Sequence, residues 1–269
     1  MDTPDLDDAK GAARRVGDHP LLEALARWGF VVSGVLHIAI GYLALRVAWS
    51  GGGEQADQSG ALATLASNPL GSILMAVLAL GLAALVLWQI TLVVAPAIGE
   101  DRMTDRVKAA GRAIVYAALA VTATQFALGS GSSSSSEDTS QDATATLMEQ
   151  PAGQWLVGAV GLGVVAVGGY HVYKGLTRRF LRDLEDDPGT PVTAAGVVGY
   201  TAKGVVLVLV GLLFGLAAYQ QQSSEAQGLD GALKALREQP LGPWLLSAVA
   251  VGLVLFGAYC FGRARHQRI

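Results

Sequence analysis

The amino-acid sequence predicts an all-α integral membrane protein with six transmembrane helices. Apolar side chains make up 52% of the chain and charged ones 15%, a balance more apolar than that of ordinary soluble domains. Six nearly uncharged stretches are each about 20 residues or longer, enough for a helix to cross the hydrocarbon core. Continuous apolar runs of this length favour helices over the alternating pattern of a barrel. The stretches are roughly 28–48, 70–95, 109–129, 152–173, 193–219 and 242–262.

An internal repeat divides these six stretches into three pairs. The motif Leu-x3-Pro-x-Gly-x2-Leu-x6-Gly opens the second span of every pair with the same spacing. Its leucine, proline and first glycine are Leu65, Pro69 and Gly71, then Leu147, Pro151 and Gly153, then Leu236, Pro240 and Gly242. Each repeat contains two spans, so successive copies enter the membrane in the same direction. We therefore expect three parallel helical hairpins with pseudo-threefold repeat symmetry, over residues 26–98, 107–180 and 196–265, after a polar cytoplasmic segment 1–25.

A short amphipathic run stands before each motif proline. These runs cover 61–65, 145–147 and 232–236, and they predict one short interfacial helix ahead of each second span. A purely irregular loop is the alternative. We expect the prolines in the first turn of the second spans, where a missing N–H costs no hydrogen bond.

The basic residues predict the orientation of the chain. They cluster before the first span, in the loops 102–112 and 174–182, and after the last span, whereas the other three connections hold few. Because basic residues stay on the cytoplasmic side, both termini are expected in the cytoplasm. The N-terminal segment lacks the apolar region of a cleavable signal, so the first span is expected to direct insertion.

Small residues recur seven apart in the first helix of each pair: Gly34 and Gly41, Ala113 and Ala120, Gly204 and Gly211. Seven residues are nearly two helical turns, so each pair lies on one face. In lipid, small residues allow close backbone approach and mark contact faces. We predict packing within the protein, with a dimerisation face as the alternative.

Candidate polar positions inside the membrane are few. The predicted spans contain no Asp or Glu, and His37 lies roughly midway along the first. An intramembrane ionisable residue suggests a functional site, but we favour a neutral histidine that is hydrogen-bonded to a neighbouring helix. Arg112 and Lys203 align with each other and with Ser33, about one turn inside their helices. They could snorkel to the interface, or bind an anionic lipid or ligand.

Signatures of catalysis are missing from the sequence. It has no phosphate-binding loop, no zinc-protease motif and no nucleophile elbow, and it has one cysteine. We therefore expect no enzyme, no cofactor, no metal site and no nucleic-acid partner. The leading hypothesis is a non-enzymatic membrane protein that binds lipid, a membrane-protein partner or a second copy. The alternative is a passive channel or facilitator along the pseudo-threefold axis.

These features resemble a membrane family known as domain of unknown function 1206, mostly seen in actinobacteria. The resemblance rests on the three proline motifs and on the Gly-Phe/Tyr-x3-Gly-Val entry at Gly29–Val35 and Gly199–Val205. It implies six spans in a bacterial plasma membrane, and no particular activity or substrate. The family usually has a basic residue before the second glycine of the entry. Lys203 keeps it, Ser33 departs from it, and the middle copy has Arg112 before Ala113 in place of glycine.

Overall fold

A computed structural model describes residues 20–50, 55–67, 71–94, 102–128 and 136–266. All regular structure in these ranges is helical, without a strand. The α-helices, in chain order, are α1 (Pro20–Ser50), α2 (Gln58–Ala66), α3 (Gly71–Val94), α4 (Arg102–Ala127), α5 (Ser136–Met148), α6 (Gly153–Leu176), α7 (Gly189–Gln220), α8 (Leu229–Arg237) and α9 (Gly242–His266). Two short 3-10 helices, Arg179–Asp183 and Ser223–Glu225, stand in the connections.

Within the described ranges, four helices are long and apolar enough to cross a membrane: Arg27–Ser50, Gly153–Leu176, Gly189–Gln220 and Gly242–His266. They correspond to the first, fourth, fifth and sixth predicted spans. In α3 the qualifying apolar stretch is the shorter Met75–Leu87. Helix α4 is 26 residues long, but Arg106, Lys108 and Arg112 make its first half polar. The structure thus shows a membrane-type helical protein with four candidate spans.

The chain forms two compact units. Among the described residues, one contains 20–32, 65–67, 71–94 and 102–128, and the other contains 33–50, 55–64 and 136–266. In the first unit, α3 and α4 pack along each other. In the second, α7 packs against α6 and against α9, and the C-terminal half of α1 packs on α9. The candidate site described below lies wholly in this second unit.

Glycine-lined faces join the helices of the second unit. A Cβ atom on Gly204 would lie 2.6 Å from the carbonyl oxygen of Gly168, and one on Gly211 would lie 2.7 Å from that of Gly161. These contacts bring the backbones of α6 and α7 together. On α1, Gly34 faces the carbonyl oxygen of Gly257 on α9 in the same way. The glycines spaced seven apart are therefore contact faces between helices of one chain.

The repeat motif forms a tight turn ahead of α6 and α9. In the turn before α6, the N–H of Gly153 donates to the carbonyl oxygen of Gln150 at 2.9 Å, and Ala152 has φ of 66°. Proline at the second position and positive φ at the third are the features of a type II turn. The turn before α9 repeats this geometry at Gln239, Pro240, Leu241 and Gly242, with a hydrogen bond of 2.7 Å and φ of 63° at Leu241.

The prediction that the motif prolines lie in the first helical turn is therefore wrong for Pro151 and Pro240. Both helices begin two residues later, at the motif glycine, because the turn must reverse the chain before a helix can start. A Cβ on Gly153 or Gly242 would overlap the carbonyl group of Leu147 or Arg237 at the end of the preceding short helix. Gly71 has the same relation to Ala66, while Pro69 lies outside the described residues.

The short helices α2, α5 and α8 precede the second helix of each repeat, as the amphipathic runs predicted. The Oδ1 atom of Asp230 on α8 accepts a hydrogen bond of 2.8 Å from the N–H of Ala56, just before α2. Lys234 holds the other oxygen of Asp230 at 2.5 Å, and α5 contacts α8. Leu62, Thr144 and Leu233 are at most 1% exposed. These short helices are thus joined by a carboxylate and close-packed side chains.

Large apolar side chains cover the outside of the second unit. Leu162 on α6 is 71% exposed and Leu212 on α7 is 58% exposed. Tryptophans are exposed near helix ends, and Trp49 donates from Nε1 to the hydroxyl oxygen of Ser247 at 3.0 Å while its ring meets Trp244 edge-on. Apolar helix surfaces bordered by amphipathic aromatic rings are typical of proteins surrounded by lipid.

Candidate functional site

The polar centre of the second unit is a contact between Lys203 on α7 and His37 on α1. The ammonium nitrogen of Lys203 lies 3.2 Å from Nε2 of His37. The other ring nitrogen, Nδ1, lies 2.7 Å from the carbonyl oxygen of Ser33. A carbonyl oxygen only accepts, so Nδ1 carries the hydrogen and Nε2 of the neutral ring accepts from Lys203. Both side chains are half-buried.

Aromatic and weakly polar groups complete the surroundings of this contact. The nitrogen of Lys203 lies 4.4 Å from the centre of the Phe256 ring, within the range of a cation–π interaction. The same ring packs 4.7 Å from the His37 imidazole. The hydroxyl of Ser33 lies 3.9 Å from the thiol sulfur of Cys260. Among the described residues, no carboxylate contacts Lys203, so its positive charge is held by uncharged groups.

The contact lies deep along the helices. Phe256 follows Trp244 by 12 residues on α9, about 18 Å at 1.5 Å per residue. Lys203 itself is 14 residues after Gly189, where α7 begins, or about four turns. The expectation that Lys203 lies about one turn inside its helix is therefore wrong. Helix α7 starts four residues before the apolar run, and Pro191 is tolerated in its first turn.

A second polar group lies beyond Phe256, toward the C-terminal end of α9. Asp183 accepts a hydrogen bond of 2.6 Å from Lys174 at the end of α6, and Arg263 lies 3.7 Å from the same carboxylate oxygen. Arg263 also donates to the hydroxyl oxygen of Tyr200 at 3.3 Å. The ring of Tyr200 lies 5.4 Å from the Lys174 nitrogen. The carboxylate of Asp183 thus binds Lys174 and Arg263, and Arg263 in turn binds Tyr200. This polar group therefore links α6, α7 and α9.

A cluster of aromatic rings connects the two polar groups. Tyr200 packs against Phe256 at 5.1 Å between ring centres and against Phe180 at 5.3 Å. Tyr259 contacts all three. Phe180 and Tyr259 are fully buried, so this cluster fixes the connection after α6 onto α7 and α9. A close approach requires Gly196 here, since a Cβ would lie 2.5 Å from the Phe180 ring.

Besides Lys174 and Arg263, which bind Asp183, other basic side chains of this end are exposed. We call the following set the basic collar: Lys174, Arg178, Arg179, Arg182, Arg263 and Arg265. Arg178, Arg179, Arg182 and Arg265 are exposed, and the guanidinium of Arg179 lies 4.8 Å from the ring centre of Tyr173. Glu185, Asp186 and Asp187 follow in the same connection and reduce the net charge. The N–H of Glu185 donates to the carbonyl oxygen of His266 at 2.9 Å, which binds this connection to the end of α9.

The structure thus brings His37 and Lys203 together, although they are 166 residues apart. Arg112 belongs to the other unit, where its side chain is exposed. The motif residues Pro151, Gly153, Pro240 and Gly242 form turns and take no part in the polar groups. Sequence reasoning missed Asp183, Phe256 and Arg263. Asp183 and Arg263 stand near predicted span ends, which was the available signal for these two, whereas Phe256 lies inside a span and is one apolar residue among many.

The three copies of the hairpin motif identify the family to which this chain belongs. Residues 28–95, 107–178 and 198–267 each match the model of the family described as Domain of Unknown Function (DUF1206). The chain belongs to this family. The resemblance drawn from the proline motifs and the Gly-Phe/Tyr entry is confirmed, including the three tandem repeats.

A relative of similar length matches almost the whole chain. The chain is 29% identical over 259 residues to a protein of Bacillus subtilis (strain 168) called "Uncharacterized protein YxxB", and the match covers 93% of each chain. No solved structure is significantly similar to this protein. The comparisons support a membrane protein of this family. A proposal for its molecular activity therefore rests on the geometry of the site.

Within the described ranges, no group of three or more His, Cys, Asp or Glu side chains is placed to hold a metal ion. The arrangement can instead provide positive charge at two depths. The basic collar presents exposed guanidinium groups beside an exposed tyrosine. The Lys203–His37 contact presents one ammonium group deeper along the helices.

Proposed function

We propose that this protein is a non-enzymatic integral plasma-membrane protein whose basic collar binds anionic lipid headgroups. In this proposal all three hairpins span the membrane, giving six helices around a pseudo-threefold axis. Both termini and the basic collar face the cytoplasm, where anionic lipids attract basic side chains at about 1 kcal/mol each near the surface. The short helices α2, α5 and α8 lie at the opposite interface.

The observation that carries the proposal is the arrangement of charge at the collar. Lys174 and Arg263 neutralise Asp183, which removes the carboxylate nearest to the helix ends from competition with a lipid phosphate. Arg178, Arg179, Arg182 and Arg265 then remain exposed. Guanidinium groups bind phosphate oxygens with two parallel hydrogen bonds. The acidic residues 185–187 oppose this attraction, so we expect binding that weakens as salt concentration rises.

The equivalent pairing of helices supports the pseudo-threefold arrangement. The first helix of the third repeat, α7, packs on α6, the second helix of the second repeat. The first helix of the second repeat, α4, packs in turn on α3, the second helix of the first repeat. Helix α1 uses its two glycines on α9 in the same way. One rule of pairing, repeated three times, is what a threefold arrangement requires.

Native mass spectrometry of the protein released from lipid nanodiscs tests the proposal. The nanodiscs contain equal amounts of phosphatidylglycerol and phosphatidylcholine. We expect the wild type to retain phosphatidylglycerol preferentially, and the double variant Arg179→Gln/Arg182→Gln to lose most of that preference. The double variant Arg46→Gln/Arg237→Gln removes the same charge near the other helix ends and should behave as wild type. Equal retention of both lipids by the wild type would refute the proposal.

A membrane-protein partner or a second copy of the chain is the other occupant that the collar could take. In that case a protein, and no anionic lipid, would accompany the wild type in the same spectra and be lost from Arg179→Gln/Arg182→Gln. The alternative of a channel receives less support from the helix packing. Gly34 and Gly204, which could have left an open path, lie against backbone atoms of neighbouring helices.

A further inference from the structure

The Lys203–His37 contact has more hydrogen-bond donors than acceptors. Lys203 contributes three N–H groups, and the hydroxyl of Ser33 and the thiol of Cys260 are further donors. Among the residues that the structure describes, Nε2 of His37 is the one hydrogen-bond acceptor that Lys203 meets. The ring face of Phe256 takes a second position around the ammonium group. One N–H group of Lys203 thus points to no protein acceptor in the described chain.

The charge of this centre is also uncompensated by the described residues. Lys203 supplies one positive charge, and His37 is a neutral acceptor, because Nδ1 holds its hydrogen toward the Ser33 carbonyl oxygen and Nε2 faces the ammonium group, which only donates. The described carboxylate of the adjoining polar group, Asp183, is occupied by Lys174 and Arg263. An ammonium group among apolar helices is costly unless an opposite charge accompanies it. An acceptor with one negative charge would meet both needs.

We propose that Lys203, positioned by His37 and Phe256, is the binding site of a small monovalent anion within the second unit. The anion accepts a hydrogen bond from the ammonium group of Lys203. His37 holds the lysine by accepting a different N–H group, and the Phe256 ring limits the space beside it. This site is separate from the basic collar, since Lys203 lies two turns deeper than Arg263 relative to α9, at the level of Phe256.

The chemistry selects the class of anion. A single ammonium group matches a compact ion such as chloride, whereas a phosphomonoester brings two charges and more acceptor atoms. A phospholipid phosphate belongs at the headgroup level, and Phe256 is seven residues before Arg263, about 10 Å along the helix. The proposal is therefore independent of lipid binding at the collar.

Chloride binding to the purified, detergent-solubilised protein tests the proposal. Thermal unfolding is followed while sodium chloride replaces sodium gluconate at constant ionic strength, because a ligand of the folded state raises the midpoint as its concentration increases. We expect a saturable rise in the wild type and its loss in Lys203→Gln, with apparent Kd raised at least about tenfold. Arg182→Gln, which alters an exposed collar residue, should retain the wild-type Kd within about twofold.

Two further measurements keep the test decisive. Lys203→Arg preserves the charge, so it should retain a chloride response even if Lys203→Gln fails to fold. A parallel titration with inorganic phosphate distinguishes a small monovalent anion from a phosphate group, and we expect weaker stabilisation by phosphate. No saturable chloride response in the wild type would overturn the proposal. So would a response that survives in folded Lys203→Gln or disappears in Arg182→Gln, because the ion would then bind elsewhere.

Discussion

Replacing Gly211 with alanine is the sharpest perturbation of the packing between α6 and α7. A Cβ at this position would lie 2.7 Å from the carbonyl oxygen of Gly161 and 2.7 Å from both the backbone nitrogen and a methyl group of Val165. Two of these atoms belong to the backbone of α6, which cannot move aside as a flexible side chain can. The helices must separate locally to accept the methyl group.

Gly215 provides a matched control on the same helix. It is one turn away on α7, and a Cβ there would meet no atom within 4 Å. Alanine is favoured over glycine in a helix interior by about 0.5–1 kcal/mol in both variants, so this contribution cancels in the comparison. Overpacking typically costs about 1–3 kcal/mol. We therefore expect Gly211→Ala to be less stable than Gly215→Ala by about 1–3 kcal/mol.

The single cysteine provides the assay. Cys260 is 3% exposed, so a thiol-reactive dye should label the protein in detergent only as it unfolds. The expected difference in free energy corresponds to a midpoint for Gly211→Ala roughly 2–12 °C below that of Gly215→Ala, at about 2–4 °C per kcal/mol. Equal midpoints for the two variants would refute close α6–α7 packing at Gly211.

Three other substitutions test separate parts of the structure. Asp230→Ala leaves the Ala56 N–H without its acceptor, and we expect a loss of about 1–3 kcal/mol in unfolding free energy in the same dye assay. Gly153→Ala forces a clash at the turn before α6 and should lower the midpoint, whereas Gly163→Ala, with open space around its Cβ, should not. Asp183→Asn removes the carboxylate that neutralises two collar bases, so phosphatidylglycerol retention should increase while stability changes by at most about 1 kcal/mol.

Periodicity and repeats were sufficient to predict the helical framework. Long apolar runs predicted the helices, and identical spacing of the motif predicted three copies of one hairpin. Glycines spaced seven apart predicted contact faces, because close approach of two helices leaves room for little else. These features are local or periodic, so one sequence contains all the information that they need.

Features set by tertiary geometry could not be predicted in the same way. Ala152 and Leu241 adopt positive φ, which non-glycine residues rarely do, so the turn displaced the prolines from the predicted helical position. The His37–Lys203 contact joins α1 to α7, and one sequence does not say which faces of distant helices meet. The depth of Lys203 was misjudged even against its own apolar run, because Lys203 is ten residues, about three turns, after residue 193, where that run begins, and α7 starts four residues earlier still.

Sidedness is the basis of the proposed function, because the collar must face the leaflet that carries anionic lipid. Single cysteines introduced as Ser134→Cys and Arg182→Cys, each in a Cys260→Ser background, measure it with a membrane-impermeant maleimide on intact bacterial cells. We expect Ser134→Cys to be labelled in intact cells and Arg182→Cys to be labelled only after the membrane is opened. Labelling of Arg182→Cys in intact cells would place the collar outside and contradict the account.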